Sequence, residues 1–184
     1  YFTVFALFNI ADRNWEFVLY EIVMVLLFAL VVGTLRRSRF GYPILGGLSL
    51  WGLLHLAGGS IMIGAHSLYN QVLFPFVGTG ELTILKYDQA VHAIGFAVAT
   101  LIAYHVLRLY LTETPRASVI IPIVALIGMG LGVVNEMLEF AAKLTMETGV
   151  GGYNNTLLDL VFNTVGAAVA AVWAHLKYRK DPNW

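Results

Sequence analysis

Residues 87 to 111 read YDQAVHAIGFAVATLIAYHVLRLYL, an apolar run of membrane length that carries an Asp and a His in its first two turns. About 20 apolar residues are enough to cross the hydrocarbon of a bilayer, so this run predicts a transmembrane helix. The spacing of Asp88 and His92 puts both on one face of that helix. An ionisable pair is costly in such a setting, and residues of this kind inside membrane spans mark functional sites by default.

The rest of the chain has the same character. Its 184 residues are 59% hydrophobic and only 12% charged, with a mean hydropathy of +0.76. A soluble domain needs a polar surface that this composition does not supply. Cutting the apolar stretches at Pro, Gly and charge clusters predicts five full spans, at 17–35, 43–64, 87–111, 117–143 and 156–177. Residues 1–11, YFTVFALFNIA, read as a partial sixth, the tail of a helix whose beginning is missing. The expected fold is all-α, a polytopic transmembrane bundle forming one domain over 1–184.

Eleven basic and eleven acidic residues balance, so nothing points to nucleic acid as a partner; lipids surround the bundle, and membrane-protein partners or a homo-oligomer are compatible with it. Cysteine is absent. Any metal must then be held by His, carboxylate or amide groups. Arg36, Arg37 and Arg39, then Arg108 and Arg116, then Lys177, Arg179 and Lys180 fall on one side if the spans alternate, against Arg13, Lys86 and Lys143 on the other. The excess of basic residues marks the cytoplasmic side and puts the C-terminus there. The loops 65–86 and 144–155 then lie outside. Within them, HSLYNQVLFPFVG (66–78) is too apolar for a solvated loop and is expected to lie in the interface or re-enter, and GVGGYNNT (149–156) reads as a flexible cap.

With directions fixed, depth follows from position at about 1.5 Å per residue. Asp88 and His92 open the third full span, Glu136 and Glu139 close the fourth, Asp159 and Asn163 open the fifth, and His55 sits on the outward half of the second. These residues share one level. Asp88/His92 and Asp159/Asn163 are i,i+4 pairs and Glu136/Glu139 is an i,i+3 pair, so each pair can share a helix face, as bundle metal sites require. Four acids without a Lys or Arg beside them need a divalent cation or protons. Asp88, His92, Glu136, Glu139 and Asp159 are therefore candidate ligands of a divalent metal, with zinc, manganese, iron and magnesium all compatible. Glu136 or Glu139 is the candidate general base, and His55 and Asn163 are lining groups.

Each residue also has a structural alternative. Asp88 suits a helix N-cap. His92 and His55 could be satisfied polar groups within the bundle, and Asn163 could bond a neighbouring helix, with Gly166 and Ala170 giving small-residue packing. Glu21 is expected to be solvated near its helix start, and His105 and His175 to be interfacial. Coincidence of depth favours the site.

The segments DRNWEF (12–17), Asp88 to His92, NEMLEF (135–140) and DLVFNTVGA (159–167) together resemble the YjdF-like bacterial inner-membrane proteins and, more distantly, the VanZ-like family. The shared order maps onto Asp88, His92, Glu136 or Glu139, Asp159, Asn163 and Gly166. The resemblance implies a multi-pass protein of the bacterial inner (plasma) membrane and supports the site, without implying a reaction. Three function classes remain: a membrane enzyme or binding protein acting on a lipid or cell-envelope intermediate, a proton- or cation-coupled transporter, and an accessory subunit of a larger membrane complex.

Overall fold

A computed structural model describes residues 1–79, 82–113, 115–145 and 151–180. Helices dominate: α1 (Phe2–Ala11), α2 (Trp15–Ser38), α3 (Tyr42–Ser60), α4 (Tyr87–Tyr110), α5 (Ala117–Thr145) and α6 (Tyr153–Lys180). Four of them, α2, α4, α5 and α6, are long and apolar enough to cross a membrane. The 19-residue α3 falls outside that group, because His55 and its glycines dilute the apolar run. α1 is a short apolar helix of 10 residues.

Local chemistry sets the boundaries. Asn14 caps α2 by accepting from the Phe17 amide at 3.3 Å, and Arg36 and Arg37 sit in its last turn, where cations offset the exposed carbonyls. α3 carries Pro43 in its first turn, which suits amides that have no helical acceptor. Gln89 reaches back to accept from the Lys86 amide at 3.0 Å and donates to the Thr83 carbonyl at 3.2 Å, which pins the start of α4.

Two short hairpins modify the all-α expectation. The second full span ends at Ser60 rather than 64, and β1 (Met62–Ile63) pairs antiparallel with β2 (His66–Ser67). A 3-10 turn (Leu68–Asn70) leads to β3 (Val72–Val77), which pairs antiparallel with β4 (Ile84–Lys86). Residues 72–77 of the stretch read as interfacial or re-entrant thus form a strand with every residue exposed, where Val and Phe favour extended backbone. At the other loop, Tyr153 to Thr156 already belong to α6; the first part of the expected flexible cap, 149–150, lies outside the described residues.

α4 and α6 form the tightest pair, α5 packs on both, and α3 packs on α4. Gly166 allows it: a Cβ there would run into the Ala93 carbonyl of α4. Below this approach lies an apolar core of Ile44, Leu101, Tyr104, Ile120, Val124, Ala125, Ala170, Ala171 and Ala174. Small residues let the α6 backbone come close, the usual way membrane helices gain packing energy. α2 rests on α1 and α3, and most of its surface is exposed apolar side chain, including Leu26, Phe28 and Leu30.

Two further expectations change. Glu21, read as solvated, is 5% exposed and lies beside Asn9 of α1, because the N-terminal helix covers that face of α2. His175, read as interfacial, is 3% exposed and meets the Tyr104 hydroxyl through Nδ1 at 3.2 Å, since α6 continues past it to Lys180. His105 bonds the Ser38 carbonyl through Nε2 at 2.8 Å.

Candidate metal centre

The close approach of α4 and α6, with α5 against both, brings three helix faces together at the end of the bundle where α4 and α6 begin and α5 finishes. His92 stands at the centre. Its Nδ1 lies 3.0 Å from Asn163 Oδ1 and 3.5 Å from Glu136 Oε1. Its Nε2 lies 3.6 Å from Asp88 Oδ1 and 3.9 Å from Glu139 Oε1. An amide oxygen can only accept, so Asn163 selects the proton on Nδ1, and in the neutral ring the Nε2 lone pair then faces Asp88 and Glu139. A ring nitrogen held in this way by an outer partner is the usual arrangement of a metal-ligating histidine.

Two amides order the acids. Asn155 Nδ2 donates to Asp88 Oδ2 at 3.1 Å and to Asp159 Oδ2 at 2.6 Å. One oxygen of each Asp is thereby occupied, while Asp159 Oδ1 is buried without a hydrogen-bond partner. Asn135 Nδ2 donates to Glu139 Oε1 at 2.7 Å. Among the described residues both oxygens of Glu136 are likewise buried without a hydrogen-bond partner, Oε1 facing His92 Nδ1 at 3.5 Å. Buried carboxylate oxygens left unpaired are expensive, and a cation or proton at this place relieves the cost.

The ligand atoms fall into two overlapping sets, Asp88–His92–Asp159 and His92–Glu136–Glu139, each with atoms within 4.8 Å of one another. A single ion can draw such groups in to the 2.0–2.2 Å typical of nitrogen and oxygen ligands with small side-chain shifts. All five residues named as ligands from the sequence, and Asn163 with them, are brought together. Asp88 does not cap α4, whose N-cap is Lys86; its carboxylate belongs to the cluster.

A cavity of about 370 Å³ opens beside the cluster, and Asp88, His92 and Glu139 form part of its wall. Glu136, Asp159 and Asn163 stand behind that wall, at 6%, 1% and 1% exposure. His55 lines the cavity too, without joining the ligand sets. Tyr69 explains why: its hydroxyl donates to the His55 carbonyl at 2.9 Å and lies 2.6 Å from His55 Nδ1. Satisfying both contacts requires Nδ1–H to donate to the tyrosine oxygen. Burial, followed by the negative charge of Asp88 and Glu139, raises the Tyr69 phenol well above the ordinary tyrosine value, so it remains an O–H donor. His55 is further enclosed by the rings of Phe17, Tyr20 and Trp51, the last stacked at 5.5 Å between centroids.

Asn135, Asn155 and the bond between Tyr69 and His55 were not singled out from the sequence. A signal existed for the two amides: each lies four residues before a carboxylate it bonds, Asn135 before Glu139 and Asn155 before Asp159. Tyr69 has no such signal, because it joins His55 across a hairpin.

No curated protein and no solved structure matches the chain. The family model described as "Predicted membrane protein (DUF2238)" matches residues 1–180, and the chain belongs to that family.

Proposed function

We propose that this multi-pass membrane protein holds one divalent cation between α4, α5 and α6 and uses it on an ester or phosphoester of a lipid or cell-envelope intermediate. The observation that carries the reading is the pair of ligand sets sharing His92, with unpaired buried oxygens on Glu136 and Asp159. His92 Nε2, Asp88 and Asp159 hold the ion in this scheme, with Asn155 and Asn163 orienting them. Three protein ligands leave coordination positions for water and substrate, and the cation supplies Lewis acidity. Glu139 faces the cavity and is steadied on one oxygen by Asn135, so it takes the proton of an attacking water as general base. Glu136 sits behind the imidazole and balances its Nδ1–H.

The basic residues that follow α2, α4 and α6 support a cytoplasmic C-terminus and put the site at the outer end, with α3 as the fifth crossing. The YjdF-like order of site residues supports the bacterial inner membrane as its location.

Metal analysis of protein purified without chelator tests the reading. About one equivalent of a divalent ion per chain is expected, with thermal stability falling on chelation and returning on addition of that ion, and with both effects absent in Asp88→Asn and His92→Ala. Protein that carries no metal and melts identically with and without chelator defeats the proposal.

A further inference from the structure

The cavity beside the cluster has one wall that helix packing does not close. α2 packs on α1 and α3, α5 packs on α4 and α6, and among the described residues α2 and α5 make no more than marginal contact with one another. Both nevertheless line the cavity, α2 through Leu19 and Val23 and α5 through Leu138 and Ala142. Leu19, Val23 and Leu138 are also 43%, 47% and 65% exposed. Residues that line a cavity and face outward at once form the lips of a slot. Because α2 and α5 are both of membrane-crossing length and composition, the medium outside an apolar slot between them is hydrocarbon.

We propose that this slot admits an acyl chain from the bilayer, so that the substrate class is a membrane amphiphile drawn sideways into the site; this rests on the reading of the cluster as the reactive centre. The headgroup oxygens lie against Asp88, His92 and Glu139, and the chain leaves between α2 and α5. Size agrees: about 370 Å³ is near the small end of pockets that enclose a ligand, roughly 300–1,000 Å³. A headgroup and its first carbons fit, and the rest of the chain stays in the membrane. Charge agrees as well: Asp88 and Glu139 lie on the α4–α5 side and Glu16 at the start of α2, while Leu19, Val23, Leu138 and Ala142 give the slot aliphatic lips. A ligand with one polar end and one apolar end matches both halves at once.

Trp51 provides the probe. It lines the cavity and lies one helical turn from His55, about 6 Å along the α3 axis. Replacing Trp15, Trp173 and Trp184 by Phe leaves it as the sole tryptophan. The full chain is then reconstituted in phosphatidylcholine vesicles whose acyl chains carry bromine near the glycerol end, a contact quencher confined to lipid. Most of the Trp51 emission should be lost relative to plain vesicles and largely regained when Val23→Phe and Ala142→Phe fill the slot. Leu19→Phe serves as a second block should that pair fail to fold. Emission unaffected by brominated lipid overturns the proposal, and so does quenching that persists in both blocked variants. Quenching by aqueous acrylamide in preference to lipid also overturns it, because the cavity is then open to water. Metal content measured on the same samples reports separately on the centre: a slot that fills while no metal binds leaves the lipid route standing and removes the metal.

Discussion

Glu136→Gln separates a metal centre from a structural hydrogen-bond network, because the two readings predict opposite signs. Among the described residues neither buried Glu136 oxygen has a hydrogen-bond partner, and its ligand atom lies within 4.8 Å of that of Glu139. Two unit negative charges at that distance repel by about 3 kcal/mol at an effective dielectric constant of about 20. Gln keeps the shape, removes the charge and brings a donor to a place where acceptors are in excess. Without metal the variant should therefore gain about 1–2 kcal/mol, the part of the repulsion that protons do not already relieve. With metal most or all of that gain is cancelled, because a tenfold weaker site forfeits about 1.4 kcal/mol. An ion at a hundred times its dissociation constant stabilises the native protein by about 2.7 kcal/mol, and losing one nearby negative charge lowers its affinity roughly tenfold, as the loss of an outer-shell partner does. Thermal unfolding in detergent, in chelator and then in excess metal, reads both arms. For a chain of this size each kcal/mol moves the midpoint by about 2–4 °C. A variant that melts below the native protein in chelator, or that keeps the full metal-induced shift, refutes the reasoning.

Asn155→Ala removes the amide shared by Asp88 and Asp159 and should weaken metal binding roughly 10- to 100-fold with little loss of helicity, checked by metal titration alongside circular dichroism. Gly166→Val pushes a side chain into the Ala93 carbonyl; separation of α4 from α6 should cost about 1–3 kcal/mol and abolish metal binding, because the ligands sit on both helices. His175→Ala removes a buried partner of Tyr104 at the far end and should destabilise by about 1–3 kcal/mol while leaving the metal-induced rise in melting temperature intact. Loss of that rise in His175→Ala would mean that the two ends of the bundle act as one unit.

The cluster was legible because membrane helices convert sequence position into depth, and because i,i+4 spacing converts position into facing. Those two rules place Asp88, His92, Glu136, Glu139, Asp159 and Asn163 at one level before any contact is known. What escaped them depends on tertiary cover. Glu21 reads as solvated until α1 folds over it, and His175 reads as interfacial until α6 runs on past it. The strands escaped for another reason: VLFPFV is apolar without alternation, and a run of that kind gives length but no period from which to tell a strand from an interfacial coil. The partnership of Tyr69 with His55 depends on the turn that follows the first hairpin, which fixes a direction that spacing cannot supply.

The position of the centre also bears on what it can do. His92 and Tyr104 are twelve residues apart on α4, about 18 Å along the helix, and Val98, Leu101, Val124, Ala167, Ala170 and Ala171 are buried over that interval. Thr100, the buried hydroxyl on this stretch of α4, donates to the Phe96 carbonyl of its own helix. A proton relay needs successive polar partners within hydrogen-bond reach, and among the described residues no such series joins the His92 cluster to the Tyr104–His175 pair. That arrangement favours the proposed reading, in which the acids act at one end of the bundle, over passage through it. Liposomes containing the protein and a trapped pH indicator should show no proton flux above that of empty vesicles under an imposed gradient. A flux that appears with the native chain and vanishes in Asp88→Asn would require a polar path to open through this core, and would put transport ahead of catalysis.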